Sequence, residues 1–199
     1  RGIGRTIAET LLAEGASVPI MEGKLPSQEA VLALRPDLVF GGWESNFTAE
    51  GAGDRAELAG LGIASYVSPA ACRSAGVPGP LTFDGVFREI TEAGALLGAK
   101  DAAAEVVAKQ RKQLAAVKPS TAGLTAAWYS SGRETPCMGA GTGAAQIVLD
   151  ALGLKNSFGD VAETWVSVGW ERVIEANPDV IVLVDSPGNH ATDKIDRLK

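Results

Sequence analysis

The stretch TFDGVFREITEAGALLGAKDAAAEVVAKQRKQLAAVK, residues 82–118, decides how the rest of the chain is arranged. Apolar residues recur in it at helical spacing before Gly98, and again after it from Ala103 to Val117. We therefore predict one helix, a break near Gly98 and a second helix. The second piece, of about 18 residues rising about 1.5 Å each, would be about 27 Å long, the width of a small lobe. A helix of that length can join two lobes that lie side by side.

The segments on either side of these helices are nearly the same. Residues 29–40 read EAVLALRPDLVF and residues 171–182 read ERVIEANPDVIV. Each copy predicts a short helix, a Pro-Asp turn and a buried strand, because proline cannot continue a helix and the apolar run suits a parallel strand covered on both faces. We predict an α/β protein with two Rossmann-like lobes joined by a long helix. Its parts are an N-terminal lobe (1–81), bridging helices (82–118) and a C-terminal lobe (119–199).

Composition and charge exclude several function classes. The chain is 46% apolar with a formal charge of −6, and it lacks the basic clusters that nucleic acid binding needs. No apolar run approaches the ~20 residues of a membrane span, and no signal peptide is visible. Because the sequence begins with Arg1 and ends at Lys199 soon after a predicted strand, we expect a fragment, truncated at both ends.

The two cysteines, Cys72 and Cys137, are too few for a disulfide scaffold and lack metal-ligand spacing. We interpret them as two unpaired small side chains. The alternative is a disulfide between the lobes, which would hinder hinge motion.

The opening residues 1–16, RGIGRTIAETLLAEGA, resemble the nucleotide-binding start of short-chain dehydrogenases. A dinucleotide-binding turn needs a strand before it, and here that strand would precede the first residue. That family also places Tyr and Lys four residues apart, whereas Tyr66 is followed at this distance by Ala70 and Tyr129 by Arg133. We favour a plain amphipathic helix and keep an NAD(P)-binding oxidoreductase as the alternative.

Loops that follow predicted strands supply the candidate ligand-binding residues. Ligands of open α/β sheets bind beyond the carboxyl ends of the strands, and aromatic side chains with a few polar groups suit a large, partly apolar ligand. Arg133 is the candidate partner for anionic oxygen atoms. For Trp43 and Phe47, covering the lobe's own core is an equal alternative. The full set is Trp43, Asn46, Phe47, Ser68, Tyr129, Arg133, Met138, Thr142, Trp165 and Trp170.

A glycine-rich loop, PCMGAGTG at residues 136–143, precedes a predicted helix. Its backbone N–H groups can cradle an anion, although it lacks the lysine of a nucleotide-hydrolysing P-loop. Glycines required only by turn geometry are the alternative. His190 is the single histidine, which we expect to be exposed in a loop, so we predict no metal site. No nucleophile has a base partner in a motif, and we predict no catalytic residue and no cofactor.

The repeat copies and the helices between them resemble the helical-backbone class of ABC-transporter substrate-binding proteins, which deliver ferric siderophores, haem, cobalamin and related large ligands. The resemblance covers about residues 18–199. The motifs GWESNF, YVSPAAC, GAGTGAAQIVLD and TWVSVGWERVIEANPDVIVLVD are most similar to actinobacterial-type members that bind iron siderophores or a deazaflavin-coenzyme precursor. A metal-chelatase or reductase subunit of the same bilobal plan is a further alternative.

This resemblance implies a ligand in a cleft between two lobes joined by one rigid helix, with only a small hinge. It also implies an exported protein, lipid-anchored or periplasmic, that is monomeric and delivers its ligand to the permease subunits of an ABC importer.

Glu29 and Glu171 begin the two copies of the repeat and therefore lie in the opening turn of a helix. There a carboxylate is stabilised by the helix dipole by about 0.3–1 kcal/mol. The resemblance implies a second role, since a glutamate at this position in each lobe of the family meets arginines on the permease. Paired charges orient docking more than they add affinity. We expect the docking role, with helix stabilisation as the alternative.

Overall fold

The computed structural model describes residues 25–72 and 79–198. The dehydrogenase-like start of the chain lies outside these residues. Contacts divide the chain into two compact units. Of the described residues, unit 1 contains 25–72 and 86–108, and unit 2 contains 79–85 and 109–198. Both units therefore share the segment predicted to bridge two lobes.

Unit 1 begins with a parallel pair of strands and the short helices around them. Its elements are α1 (Gln28–Ala33), β1 (Leu38–Gly41), α2 (Arg55–Gly60) and β2 (Ala64–Val67), with single 3₁₀ turns at Glu44–Asn46 and Pro69–Ala71. β1 and β2 pair in parallel, with Leu38 opposite Ala64. Asp54 caps α2, because its carboxylate accepts a hydrogen bond from the Ala56 N–H at 2.7 Å. The core of this region contains Val31, Phe47, Ala52, Leu58, Ile63 and Val67.

Two consecutive helices follow, α3 (Phe83–Leu96) and α4 (Lys100–Ala115). Gly98 lies between them in the left-handed region, with φ +71°, which glycine adopts without a steric penalty. Gly94 lets the helices approach closely, since a Cβ there would lie 2.3 Å from the Cβ of Ala103. The predicted helix, break and second helix are confirmed.

Unit 2 is built on a five-stranded mixed sheet. Its elements are β3 (Thr125–Ser131), β4 (Cys137–Gly139), α5 (Ala144–Ala151), β5 (Lys155–Asn156), β6 (Trp165–Ser167), α6 (Trp170–Ala176), β7 (Val180–Leu183) and α7 (Ala191–Leu198). β3 is central: β7 pairs with it in parallel on one side, and β5 (parallel) and β4 (antiparallel) pair with it on the other. β6 extends the sheet beyond β4. One core cluster contains Ala127, Tyr129, Met138, Phe158, Val168 and Val173.

The sequence repeat is also a structural repeat. Helices α1 and α6 begin at residues 28 and 170, and strands β1 and β7 begin at residues 38 and 180, so both pairs have the same spacing. In both copies the residue before proline is left-handed: Arg35 has φ 48° and Asn177 has φ 41°. The sequence indicated only that this residue leaves the right-handed helical region. The α/β fold is confirmed.

The sequence predicted no membrane span and no metal site, and it favoured two cysteines without a disulfide between them. Within ranges 25–72 and 79–198, no helix is long and apolar enough to cross a membrane. In the same part of the chain, no cluster of His, Cys, Asp and Glu is arranged to hold a metal ion. No disulfide joins Cys72 and Cys137, and each is partly buried.

Candidate ligand-binding rims

The rim of unit 1 consists of the loops after β1 and β2, residues 42–47 and 68–72. Trp43 is 56% exposed, and its backbone N–H donates to the Asn46 Oδ1 at 2.9 Å. The structure thus brings these two predicted ligand residues together. Phe47, in contrast, is 6% exposed and packs in the core, where its ring lies so close to the end of β1 that a Cβ at Gly41 would clash with it. Of the two aromatic residues, only Trp43 offers surface to a ligand.

Ser68 begins the second loop of this rim. It precedes the 3₁₀ turn Pro69–Ala71, and its N–H donates to the Gly41 carbonyl at 3.4 Å, which connects the two loops. Tyr66, two residues earlier on β2, stacks on Phe40 with ring centroids 5.0 Å apart. Its hydroxyl is buried and has no hydrogen-bond partner among the described residues. Burial, with smaller contributions from Glu89 and Glu92, raises the pKa of Tyr66 to about 12.

The rim of unit 2 consists of the turn after β3, residues 132–135, and the loop after β7, residues 184–190. We call the first of these the Arg133 turn. The Tyr129 hydroxyl donates to the Gly132 carbonyl at 2.6 Å. The Arg133 carbonyl accepts two hydrogen bonds of 3.0 Å, one from the Trp170 indole N–H and one from the Arg197 guanidinium. The structure therefore brings Tyr129, Arg133 and Trp170 together, and Arg133 itself is exposed.

Two of the predicted ligand residues in unit 2 lie beneath the rim. Tyr129 is 1% exposed and Met138 is 0% exposed, and both belong to the core. Trp170 packs edge-on against the Tyr129 ring, with centroids 5.4 Å apart. The Lys194 ammonium lies 5.5 Å from the same ring. Neither Tyr129 nor Met138 therefore has surface to offer to a ligand in this structure.

The second loop of this rim is tied to the end of β3. The Asn189 side-chain amide donates to the Ser130 carbonyl at 2.9 Å. His190 is exposed, as predicted, with its Nδ1 3.7 Å from the Asp185 carboxylate. Lys194 is 3% exposed and donates to the Val184 carbonyl, and burial lowers the pKa of this lysine. The sequence analysis did not identify Lys194 and Arg197. A helical pattern predicts that both lie on α7, but it does not indicate that their side chains reach the rim.

The glycine-rich loop is hydrogen-bonded to the backbone of residues 161–164. The N–H groups of residues 140, 141 and 142 donate to the carbonyls of Thr164, Val161 and Glu163 at 3.1, 2.9 and 3.0 Å. A Cβ at Gly141 would lie 2.2 Å from the carbonyl oxygen of Gly159. These three N–H groups are therefore engaged by protein carbonyls, which favours the turn-geometry alternative for this loop. The glycines permit two backbone segments to pack closely.

Thr142 lies in this loop and Trp165 lies beside it, and both are partly buried. Trp165 pairs with Gly139 across β6 and β4, and the Thr142 carbonyl accepts a hydrogen bond from the Leu81 N–H at 2.9 Å. These two residues are consequently separate from the hydrogen bonds that hold the Arg133 turn.

Asn156 fixes the glycine-rich loop through buried hydrogen bonds, and the sequence analysis did not identify it. Its side-chain amide is buried and donates to the Gln146 Oε1 at 2.9 Å and to the Gly139 carbonyl at 3.2 Å. Its Oδ1 accepts from the Phe158 N–H at 3.0 Å. The only signal in the sequence is an asparagine shortly after a helix stop, which equally indicates an ordinary turn.

Glu29 and Glu171 each occupy the second position of a helix, α1 and α6 respectively. Both are exposed, and neither forms an ion pair with another described residue. The predicted location in an opening helical turn is confirmed for both. Their equivalence within the repeat is confirmed as well.

A family model described as periplasmic binding protein matches residues 8–199. No curated protein matches the sequence.

Three solved structures illustrate what the chain is similar to. A periplasmic binding protein from Veillonella parvula DSM 2008 is 26% identical, with a TM-score of 0.76, and the match covers 92% of this chain and 62% of that one. An ABC-type Fe³⁺-hydroxamate transport system protein from Saccharomonospora viridis DSM 43017 is 30% identical, with a TM-score of 0.68 and coverage of 92% and 64%. This chain thus spans less than two thirds of the length of either protein.

The third structure is the periplasmic haem-binding protein HutB of Vibrio cholerae. It is 15% identical with a TM-score of 0.65, and the match covers 89% of this chain and 72% of that one. At this identity the likeness shows a shared fold.

Proposed function

Because this chain belongs to the periplasmic binding protein family, we propose that it is the substrate-binding component of an ABC importer, acting outside the cytoplasm. The match to the family model over residues 8–199 is the observation that carries the proposal. The proteins from Veillonella parvula and Saccharomonospora viridis are a binding protein and a transport component by name, which supports capture rather than catalysis.

The ligand class that we propose is an iron siderophore or another large organic molecule. The protein from Saccharomonospora viridis, named for Fe³⁺-hydroxamate transport, supports this class. The surfaces of the two rims support it too. Trp43 exposes an indole on unit 1, and Arg133 exposes a guanidinium on unit 2. An aromatic surface and a cation suit a ligand that combines apolar parts with negatively charged oxygen atoms.

The partners in this proposal are the permease subunits of the importer and one small-molecule ligand, with the binding protein acting as a monomer. The protein is held at the cell surface by a lipid anchor or is free in the periplasm. Glu29 and Glu171, exposed at equivalent positions, are the proposed contacts with the permease.

A fluorescence titration of the full-length protein tests the proposal. The chain has four tryptophans, of which Trp43 lies on the rim of unit 1 and Trp165 is a predicted ligand residue. Ferric siderophores, haem, cobalamin and a deazaflavin-coenzyme precursor are titrated in turn. We expect one of these classes to change the emission with saturation at micromolar or lower concentration. Failure of every class to bind would contradict the proposal.

Trp43→Ala tests whether Trp43 contacts the ligand. Because this side chain is more than half exposed, its removal is expected to weaken binding while leaving the free energy of unfolding within about 0.5 kcal/mol of the wild type. If Trp43→Ala loses stability but keeps its ligand affinity, Trp43 covers the core of its own lobe instead of contacting the ligand.

A further inference from the structure

The Arg133 turn is held by more side-chain donors than a surface turn requires. Three side chains donate to two consecutive carbonyls: Tyr129 to Gly132, and Trp170 and Arg197 to Arg133. Carbonyl groups at a protein surface are satisfied by water. The two carbonyls would therefore have hydrogen-bond partners without these side chains. What the side chains add is a fixed conformation of the turn. Gly132, with φ +85°, allows the chain to bend back so closely that a Cβ at this position would lie 2.2 Å from the Thr135 carbonyl oxygen.

The donors are themselves fixed by the packing of unit 2. Tyr129 is buried in the core, and the Trp170 ring lies edge-on against it. An edge-to-face pair of this kind contributes about 0.5–1.5 kcal/mol beyond the area it buries. Trp170 is also the first residue of α6, so its backbone is set by that helix. The direction of the indole N–H is thus determined by the core, and the position of the Arg133 carbonyl follows from it.

The turn presents a guanidinium that has no ionic partner among the described residues. Arg133 is exposed, and within ranges 25–72 and 79–198 no carboxylate forms an ion pair with it. A guanidinium offers several N–H donors in one plane, which suits carboxylate, catecholate and other anionic oxygen groups. Binding to a turn that is already ordered loses less conformational entropy than binding to a mobile one.

We infer that Trp170 and Arg197 are positioning residues, which hold the Arg133 turn so that the guanidinium binds an anionic oxygen group of the ligand. This inference rests on the proposed function and adds the charge of the ligand's contacting group. It also changes the role of Trp170 from a direct ligand contact to a residue that acts through Arg133, since its N–H is engaged by the turn.

A double-mutant cycle in the full-length protein tests the inference. The probes are a ferric tris-catecholate complex, which is trianionic, and a ferric tris-hydroxamate complex, which is neutral. We expect Arg133→Gln to weaken binding of the tris-catecholate about tenfold and binding of the tris-hydroxamate less than about twofold. Trp170→Phe keeps the ring and removes the N–H. It should weaken tris-catecholate binding about threefold alone, and not at all when Arg133→Gln is present.

Trp128→Phe is the matched control, because the Trp128 indole N–H is buried with no hydrogen-bond partner among the described residues. It should leave the affinity for both complexes unchanged. Hydrogen exchange provides a second measurement. The amides of residues 132–135 should exchange faster in Trp170→Phe and in Arg197→Gln than in the wild type, and their exchange rate should be unchanged in the control. If Trp170→Phe does not fold, Arg197→Gln takes its place in the cycle.

Three outcomes would overturn the inference. One is that Trp170→Phe weakens tris-catecholate binding by the same factor in the wild type and in Arg133→Gln. Another is a wild type that binds the tris-catecholate with an affinity that Arg133→Gln does not change. Both leave the proposed function standing. The third is a wild type that does not bind the tris-catecholate. If it also binds none of the tris-hydroxamate, haem, cobalamin and the deazaflavin-coenzyme precursor, the proposed function fails as well.

Discussion

At the scale of single residues, Asn156 connects the glycine-rich loop to the rest of unit 2. Its buried side chain makes hydrogen bonds to Gln146, Gly139 and Phe158, so Asn156→Ala leaves several buried groups unsatisfied. We expect a loss of about 2–3 kcal/mol in the free energy of unfolding, measured by urea denaturation. Gln113→Ala, at an exposed position of α4, is the control and should change this value by less than about 0.5 kcal/mol. Equal effects of the two substitutions would contradict the role of Asn156.

Asp179 gives the stability of unit 2 a dependence on pH. Its Oδ2 accepts hydrogen bonds of 2.8 Å from the N–H and from the hydroxyl of Thr125, at the start of β3. The backbone hydrogen bond from Thr125, followed by the hydroxyl, lowers the pKa of Asp179. A carboxyl whose pKa is lowered by folding stabilises the native state above its unfolded pKa of about 3.9. That stabilisation is lost as the pH falls through the folded pKa.

The matched pair Asp179→Ala and Asp37→Ala tests this link, since the two residues are equivalent in the repeat. The Asp37 carboxylate makes no hydrogen bond to a described residue, and only its backbone carbonyl does so. We expect Asp179→Ala to lower the free energy of unfolding near neutral pH, by an amount that shrinks below about pH 4. Asp37→Ala should have little effect. A difference between wild type and Asp179→Ala that is constant down to about pH 2 would contradict the assignment.

At the scale of elements, the repeat contains a left-handed residue that costs stability in one copy more than in the other. Arg35 and Asn177 occupy this position, and asparagine tolerates left-handed backbone better than arginine does. We expect Arg35→Asn to raise the free energy of unfolding by about 0.5 kcal/mol and Asn177→Ala to lower it by about 1 kcal/mol. Arg88→Asn, within α3, should lower it slightly because asparagine is the poorer helix former. Stabilisation by Arg88→Asn to the same extent as by Arg35→Asn would contradict this explanation.

The elements show which parts of the fold the sequence can predict. The two helices around Gly98 and both copies of the repeat follow from local spacing and from proline, and they form as expected. Strands β4 and β6 have three residues each and depend on pairing with each other and with β3. Segments of that length carry no usable periodicity, and their pairing is long-range.

The candidate site was predictable in outline and not in detail, for a related reason. Sequence places Tyr129 and Arg133 near the end of a strand, but the face on which each side chain lies depends on register. The ladder between β3 and β4 shifts between Tyr129 and Ser131. Because Tyr129 and Arg133 are four residues apart, a regular strand would place both side chains on one face. The strand instead ends at Ser131, so that Tyr129 lies in the core and Arg133 lies in the exposed turn.

At the scale of the whole molecule, Glu29 and Glu171 test delivery to the permease separately from capture of the ligand. Reversing both charges, Glu29→Lys with Glu171→Lys, should abolish most uptake through the importer and leave ligand affinity unchanged, because paired charges fix the orientation of docking. The control is Glu105→Lys with Glu175→Lys, which makes the same charge change at exposed sites outside the opening turn of a helix. Normal uptake by the first double variant would exclude the docking role. Lost ligand affinity would instead assign the two residues to ligand binding.

Native mass spectrometry of the full-length protein, purified from its own host without added ligand, tests the central claim most directly. A substrate-binding component with high affinity retains part of its ligand through purification. We predict a non-covalent adduct with the mass of an iron complex or another large organic molecule, released when the protein is denatured. An adduct with the mass of a nicotinamide dinucleotide, with turnover of an added alcohol or ketone, would contradict the account.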